Sequence, residues 1–476
     1  MVNRILIRIK VVQMLYSYLL TKNEFKIESA PESTSRDKNY AYTLYLDLLL
    51  LILELSGYSV KNGNEKSPLE SLGATNLLSS SKMAKALASD DDIRNIIIKG
   101  NNNIADFDEI ILRLYSTITT SVTYRDFRKI KSPEIKDEIS MWKVVINTIF
   151  LKEPLFIETL RKNPSFTHAG YEYGIKMLIN TLSNYSDTRT LLLDAQRSLD
   201  TSLNKAYELY HSMLMLMVEI TKLQARRIEA AKSKYLPTDE ELNPNMRFVE
   251  NQFIKSIENH PGMKSYLNSN PISWENETNL VKTLLDEITA SQVYNEYMSA
   301  NISDYTGDCE LWRNIFKNII MPSDELCETL ESKSVYWNDD LAIMGTFVIK
   351  TIKQFSKGNG VGVSLLPQYK DEEDAQFGKS LFMHAIKNRD EYRNYIDMFI
   401  NDSQWDPERL AFMDNVIMTT AIAELINYPM IPIAVTLNEY IEIANCYSTA
   451  KSGQFINGIL YSVINHLKSE GKLNKD

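Results

Sequence analysis

Few side chains in this sequence are of types and spacings that perform covalent chemistry. The five histidines (His168, His211, His260, His384 and His466) are scattered, with no His-Glu-x-x-His pair to set two imidazoles on one helical face around zinc. Cys309, Cys327 and Cys446 lie far apart, so neither a zinc knuckle nor a disulfide framework is expected, which fits a reducing compartment. No Gly-x-Ser-x-Gly elbow is present, and no cysteine has a recognisable histidine and asparagine context. Gly358-Asn-Gly-Val-Gly362 has the glycine spacing of a phosphate loop, but it follows a helical pattern and no Gly-Lys-Ser/Thr comes after it. The acidic runs Asp90-Asp91-Asp92 and Asp371-Glu372-Glu373-Asp374 are the residue types that hold cations; such runs more commonly sit in solvated loops or at helix N-termini. The reading is a chain with no catalytic residues, no metal site and no cofactor. What remains is positive charge. Arg4, Arg8 and Lys10 near the start, and Lys451 near the end, are candidate phosphate contacts in a protein with 52 basic and 62 acidic residues and a net charge of −10. With that balance, nucleic-acid binding has to come from a local patch.

These residues need elements to position them. Glycine (16) and proline (14) are scarce among 476 residues, which argues for long helices over a turn-rich β-fold. Hydrophobic residues at 44% suffice for two or three cores. Residues 1–20 read as one helix, because Ile5, Ile9, Val12, Tyr16 and Leu19 fall at helical spacing; Arg4 and Arg8 then share a face. Charges interrupt this segment, so it is not read as a signal peptide. The longest apolar run, Leu48–Leu53, is far shorter than the ~20 residues of a membrane span. The expectation is a cytoplasmic protein with no membrane partner. Residues 23–36 read as a linker. Near the C-terminus, Phe377–Ile400 reads as a helix. Asp406 is placed to cap the next one, with Pro407 in its first turn and Leu410, Met413, Val416 and Ala421 as its stripe. Thr436-Leu-Asn-Glu439 has the form of a capping box, and Ser452 opens a last helix through Leu467. Short connections between these four helices predict a compact bundle.

The middle repeats itself. Asn39, Ala41, Tyr42, Leu44, Tyr45, Leu49, Leu51 and Glu54 recur as Asn204, Ala206, Tyr207, Leu209, Tyr210, Leu214, Leu216 and Glu219, an offset of 165. Further on the offset is 170: Leu114, Ile118, Ser121 and Tyr124 match Leu284, Ile288, Ser291 and Tyr294; Trp142 matches Trp312; Thr181 matches Thr351. One loop of different length accounts for the change. Two copies are too few for a solenoid, so two similar helical modules in series are expected. Most matched positions are apolar or aromatic, as core positions would be; a shared peptide-binding groove is the sharper alternative.

Two segments carry a family resemblance. Val12-Gln13-Met14-Leu15-Tyr16-Ser17 resembles the first helix of the NusB transcription antitermination factors, which follows an arginine-rich start. At the other end stand Trp405-Asp406, Arg409-Leu410, Ala423-Glu424-Leu425, Pro432-Ile-Ala-Val435, Asn438-Glu439 and Ser452-Gly-Gln-Phe455-Ile-Asn457-Gly458-Ile-Leu460, in that family's order. Lys234-Tyr-Leu-Pro-Thr-Asp-Glu-Glu-Leu-Asn-Pro-Asn245 and Tyr336-Trp-Asn-Asp-Asp340 resemble the insertion of a long NusB subgroup. The resemblance implies an all-α fold of NusB-like helical bundles with a large, internally duplicated helical insertion. The corresponding division is 1–25 for the first helix, 36–200 and 201–355 for the two copies, 356–375 for a linker, and 376–476 for the C-terminal domain. It implies no catalysis, and three partners: boxA-like RNA, the ribosomal protein NusE, and the RNA polymerase antitermination complex, notably on ribosomal RNA operons. On the matching positions Arg4, Arg8, Lys10 and Lys451 would meet RNA phosphates, and Phe455 would stack on a base. Tyr16, Asp406 and Arg409 would lie toward NusE. Asn438, Glu439, Asn457 and Gly458 would serve structure, by capping and by tight packing at the glycine. The arginine cluster is thinned here by Ile5, Leu6 and Ile7, so the alternative is a helical protein–protein scaffold that has lost RNA binding. If the resemblance holds, residues 1–20 must pack beside 376–470 although some 350 residues separate them.

Overall fold

Every regular element among the described residues is helical, as the scarcity of glycine and proline predicts. The structure, a computed structural model, describes all residues except Met1, 32–34, 59–68, 70–80, 100–106, 301–303, Asn338, Val361, 402–410, Asn474 and Asp476. The chain forms two compact units: Met1–Leu20 with Asp194–Asp476, and Thr21–Leu193. Helix α1 (Arg4–Thr21) opens the chain.

In the unit Thr21–Leu193, α2 (Arg36–Leu55) is apolar around most of its circumference and is correspondingly enclosed, with an unbroken buried run from Asp47 to Leu55. Helix α3 (Ile135–Thr148) contributes Trp142, fully buried and edge-on to Phe150 at 6.2 Å. Helix α4 (His168–Ser183) lies against α2. Gly170 permits that approach, since a Cβ there would stand 2.8 Å from the Asp37 carbonyl oxygen. A buried hydrogen bond of 2.8 Å joins the Tyr45 hydroxyl to Thr181 Oγ1. The same hydroxyl accepts the Glu28 N–H at 3.2 Å.

In the other unit, α5 (Thr188–Lys232) supplies Tyr210 and Leu214 from Asp194 onward, α6 (Tyr305–Ile315) supplies Trp312, and α7 (Leu341–Lys357) packs on α6. The repeat extends from residue types to individual bonds. The Tyr210 hydroxyl and Thr351 Oγ1 are 2.7 Å apart and buried. That hydroxyl accepts the Leu366 N–H at 3.3 Å, and Trp312 is fully buried 5.4 Å from Phe248. Ser121 Oγ accepts the Tyr124 N–H at 3.1 Å to start one short helix; Ser291 does the same for Tyr294 at 3.2 Å. Both copies thus preserve a buried tyrosine–threonine pair and a serine cap, as matched core positions would.

The expected linker 356–375 opens with the hydrogen-bonded end of α7. The Gly360 N–H reaches the Phe355 carbonyl at 3.1 Å, with Asn359 and Gly360 at φ +47° and +71°.

The C-terminal helices are α8 (Glu372–Lys387), α9 (Arg389–Asn401), α10 (Phe412–Asn427), α11 (Ile433–Tyr447) and α12 (Ser452–Ser469). Two details differ from the sequence reading and a third, the acidic run, follows it. The single helix expected over 377–400 is two, because Asn388 ends α8 and its amide turns to the Tyr392 hydroxyl at 3.0 Å. Thr436-Leu-Asn-Glu439 is not a capping box: α11 starts at Ile433 after Pro432, so Thr436 lies inside the helix. The acidic run 371–374 is a helix start, with Asp371 Oδ1 accepting the Asp374 N–H at 2.9 Å. The expected cap at Asp406 lies outside the described residues. Helix α10 is buried from Asp414 through Leu425, as the central helix of a bundle must be.

Candidate nucleic-acid interface

The basic residues of α1 do not share a solvated face. From Leu6 through Val12 every residue of the helix is buried, because α1 is enclosed by the C-terminal helices and by the turn before α7. Arg8 forms a two-pronged ion pair with Glu424 of α10, Nε to Oε2 at 2.7 Å and Nη2 to Oε1 at 2.9 Å. The side chains are 3% and 0% exposed. Thr436 donates to Glu424 Oε1 at 2.8 Å and Tyr440 to Oε2 at 3.2 Å, completing the carboxylate's shell. Burial works against the Arg8 charge, but hydrogen bonding and attraction from Glu424 outweigh it and its pKa ends raised. Burial, and then the Glu424 charge, push the Tyr440 hydroxyl well above its ordinary value, so it stays a donor. Lys10 is also interior: Nζ lies 2.8 Å from Asp340 Oδ1 and 3.2 Å from the Tyr336 carbonyl. Burial raises the Asp340 pKa against the opposing pull of Lys10.

The expectation that Arg8 and Lys10 meet phosphates is therefore corrected. Their charges are spent inside the unit, and drawing Arg8 out would leave Glu424 buried and unpaired, a cost of about 3–5 kcal/mol. Arg4 is intermediate. It binds Asp374 Oδ1 at 2.6 Å and Glu373 Oε1 at 2.9 Å, and 28% of its side chain stays exposed.

The other end of the chain supplies exposed groups on a fixed loop. Lys451 is exposed at the N-cap of α12. Asp414 of α10 holds the loop, accepting from Ser448 Oγ at 2.5 Å and from Ser452 Oγ at 3.0 Å. Gly453 allows α12 to approach α11, since a Cβ there would stand 2.1 Å from Asn445 Oδ1. Phe455 follows one turn later and is half-buried. The outer face of α12 carries Gln454, Asn457, Gly458 and Tyr461, all exposed. Gly458 is not the tight-packing glycine expected: a Cβ there would meet nothing within 4 Å. A glycine inside a helix costs about 1 kcal/mol relative to alanine, and no helix neighbour recovers that cost here.

Tyr16 of α1 is half-buried, edge-on to Phe412 at the start of α10, with ring centroids 5.2 Å apart. Asp406 and Arg409 lie outside the described residues. Gly378 of α8 takes Ile7 against its backbone, where a Cβ would stand 2.8 Å from the isoleucine Cγ2. The start of the chain is thus built into the bundle formed near its end.

The NusB family model matches residues 349–465. A transcription antitermination protein NusB from Salinibacter ruber is 32% identical over 110 residues, which are 23% of this chain and 68% of that protein. This chain belongs to the NusB family. NusB proteins from Chloroherpeton thalassium (46% identity, 15% of this chain and 34% of that protein) and Symbiobacterium thermophilum (35%, 21% and 65%) are also similar. No solved structure matches. NusB proteins are transcription antitermination factors, not enzymes. The family match leaves residues 1–348 uncovered, so in this NusB-family chain α1 and most of the duplicated middle rest on the fold alone. Among the described residues no helix is long and apolar enough to cross a membrane, and no group of three or more histidine, cysteine, aspartate or glutamate side chains is placed to hold a metal ion.

Sequence reasoning missed Glu424, Asp340 and Asp414. Glu424 stood inside the quoted Ala423-Glu424-Leu425 motif, and a carboxylate amid an apolar stripe signals a buried partner. Nothing local marks Asp340 as the partner of a lysine at position 10.

Proposed function

We propose that this chain is an RNA-binding transcription antitermination factor that holds boxA-like nascent RNA together with NusE. It would promote read-through by RNA polymerase, notably on ribosomal RNA operons. The observation that carries this reading is the ion pair between Arg8 and Glu424, 416 residues apart, which closes the first helix onto the C-terminal bundle. In this reading RNA meets exposed Lys451, the edge of Phe455 and the exposed part of Arg4, while Arg8 and Lys10 hold the scaffold. Lysine supplies phosphate attraction and the phenyl ring a stacking surface for an unpaired base. NusE would approach Tyr16, Asp406 and Arg409.

The test is binding of a boxA-like RNA to the full chain, with and without NusE, at low and high salt. Salt-sensitive binding that NusE strengthens, and that Lys451→Gln weakens, supports the reading. No binding in any condition overturns it. A second reading, a helical protein–protein scaffold that has lost RNA, is favoured by the burial of Arg8 and Lys10. It predicts NusE capture with no RNA dependence.

A further inference from the structure

The duplicated middle contains a groove that the reading above leaves unused. It lies between α6 with its continuation and α7, has a volume of about 430 Å³, and is lined by Arg313, Asn314, Lys317, Thr346, Lys350 and Lys353 together with Ile349. Four cations converge there in a protein of net charge −10. Arg313 and Lys317 are one helical turn apart, as are Lys350 and Lys353, so each pair shares a face. Lys317 lies in a π-turn, Phe316–Ile320, that continues α6, a distortion that recurs at functional sites. Arg313 pairs with Glu310 through Nη2, while its buried Nε has no hydrogen-bond partner. Lys317, Lys350 and Lys353 are exposed, and Lys357 follows one turn later on α7, also exposed.

The first copy shows that the module's fold does not need this charge. At the offset of 170, Arg313, Lys317, Lys350, Lys353 and Lys357 correspond to Lys143, Asn147, Asn180, Ser183 and Asp187. The counterparts of the four groove cations match them in exposure, half-buried at 143 and 313 and exposed at the other three, while the buried Tyr–Thr pair and tryptophan are retained. One lysine is gained in the first copy, Lys176 in place of Thr346, so the contrast in groove cations is four against two.

We propose that the α6–α7 groove binds the phosphodiester backbone of single-stranded RNA, extending the RNA path beyond the C-terminal helices. The proposal rests on the RNA-binding reading. Lysine and arginine ammonium and guanidinium groups attract phosphates without reading sequence, and Asn314 and Thr346 add neutral hydrogen-bonding groups. The groove thus lengthens the RNA held and does not select it.

The test uses the full chain and two probes: the boxA-like RNA alone, and the same RNA with a polyuridine extension. The wild type is expected to bind the extended RNA more tightly and with a steeper salt dependence. The triple variant Lys317→Gln, Lys350→Gln, Lys353→Gln should lose that advantage. Its log–log salt slope should be shallower by about 2, at roughly 0.7 per phosphate on single strands. Its thermal transition should be unchanged because the three side chains are exposed, and Lys143→Gln with Lys176→Gln should bind like wild type. A triple variant that keeps both the slope and the advantage overturns this proposal alone. A wild type that binds neither probe overturns it together with the antitermination reading.

Discussion

Position 170 in the first copy is a glycine pressed against the backbone of α2; its counterpart in the second copy is Asp340, which takes the ammonium of Lys10. Position 46 is Leu46 in the first copy, and its counterpart is His211, buried and stacked on Tyr266 at 3.6 Å. Yet Tyr45 and Tyr210 bond corresponding threonines, Thr181 and Thr351, and Trp142 and Trp312 fill the same kind of interior site. Duplication has kept what folds the module and let the remaining positions diverge. One copy became a unit with its own core; the other became part of the unit that contains both chain ends.

The largest effects test the shared core. Trp142→Ala and Trp312→Ala should each cost about 3–5 kcal/mol through lost burial and the cavity left behind. Hydrogen exchange should show protection lost around α2 and α4 for the first, and around α5 to α7 for the second. Equal loss in both regions from either variant would break the division into two units. A cost of similar size is expected for Arg8→Met, about 3–5 kcal/mol, because Glu424 is left buried without its partner. Adding Glu424→Gln should recover much of it; urea denaturation of the single and double variants measures this coupling.

His211 sharpens the comparison through pH. Burial lowers its pKa to about 4, against an unfolded value of about 6.5. The unfolded chain therefore binds the proton first as pH falls. Stability should be flat above pH 6.5 and decline between about 6.5 and 4 by about 3 kcal/mol. The loss should be confined to the unit holding His211 and absent in His211→Leu, which installs the first copy's residue. The smallest effects are those of Tyr45→Phe and Tyr210→Phe, about 1 kcal/mol each for the lost hydrogen bond. Unequal values would mean that the two hydroxyls do different work despite matching geometry.

The all-helical class was legible because apolar spacing and the scarcity of glycine and proline are properties of the chain, and the repeat was legible because it stands in the residues themselves. The joining of the ends was legible only through family resemblance, since no local pattern ties Arg8 to Glu424. The burial of Arg8 and Lys10 was not legible. Their spacing describes one face of α1, and α1 turned out to be surrounded. The open space at Gly458 was missed for the converse reason, that a glycine in a helix reads as close packing until its neighbours are known. The basic groove escaped notice because its two cation pairs lie on separate helices, and only the fold brings 313–317 beside 350–353.

The central claim is that RNA is held by exposed groups of the unit containing both chain ends, including the second copy of the module, and not by the first copy. Ultraviolet cross-linking of the extended RNA to the full chain, with the modified peptides identified by mass spectrometry, tests it most directly. Cross-links in residues 448–461 and 313–353, with none in 135–183, are predicted. Cross-links concentrated in 135–183, or an absence of any in 194–476, would contradict it.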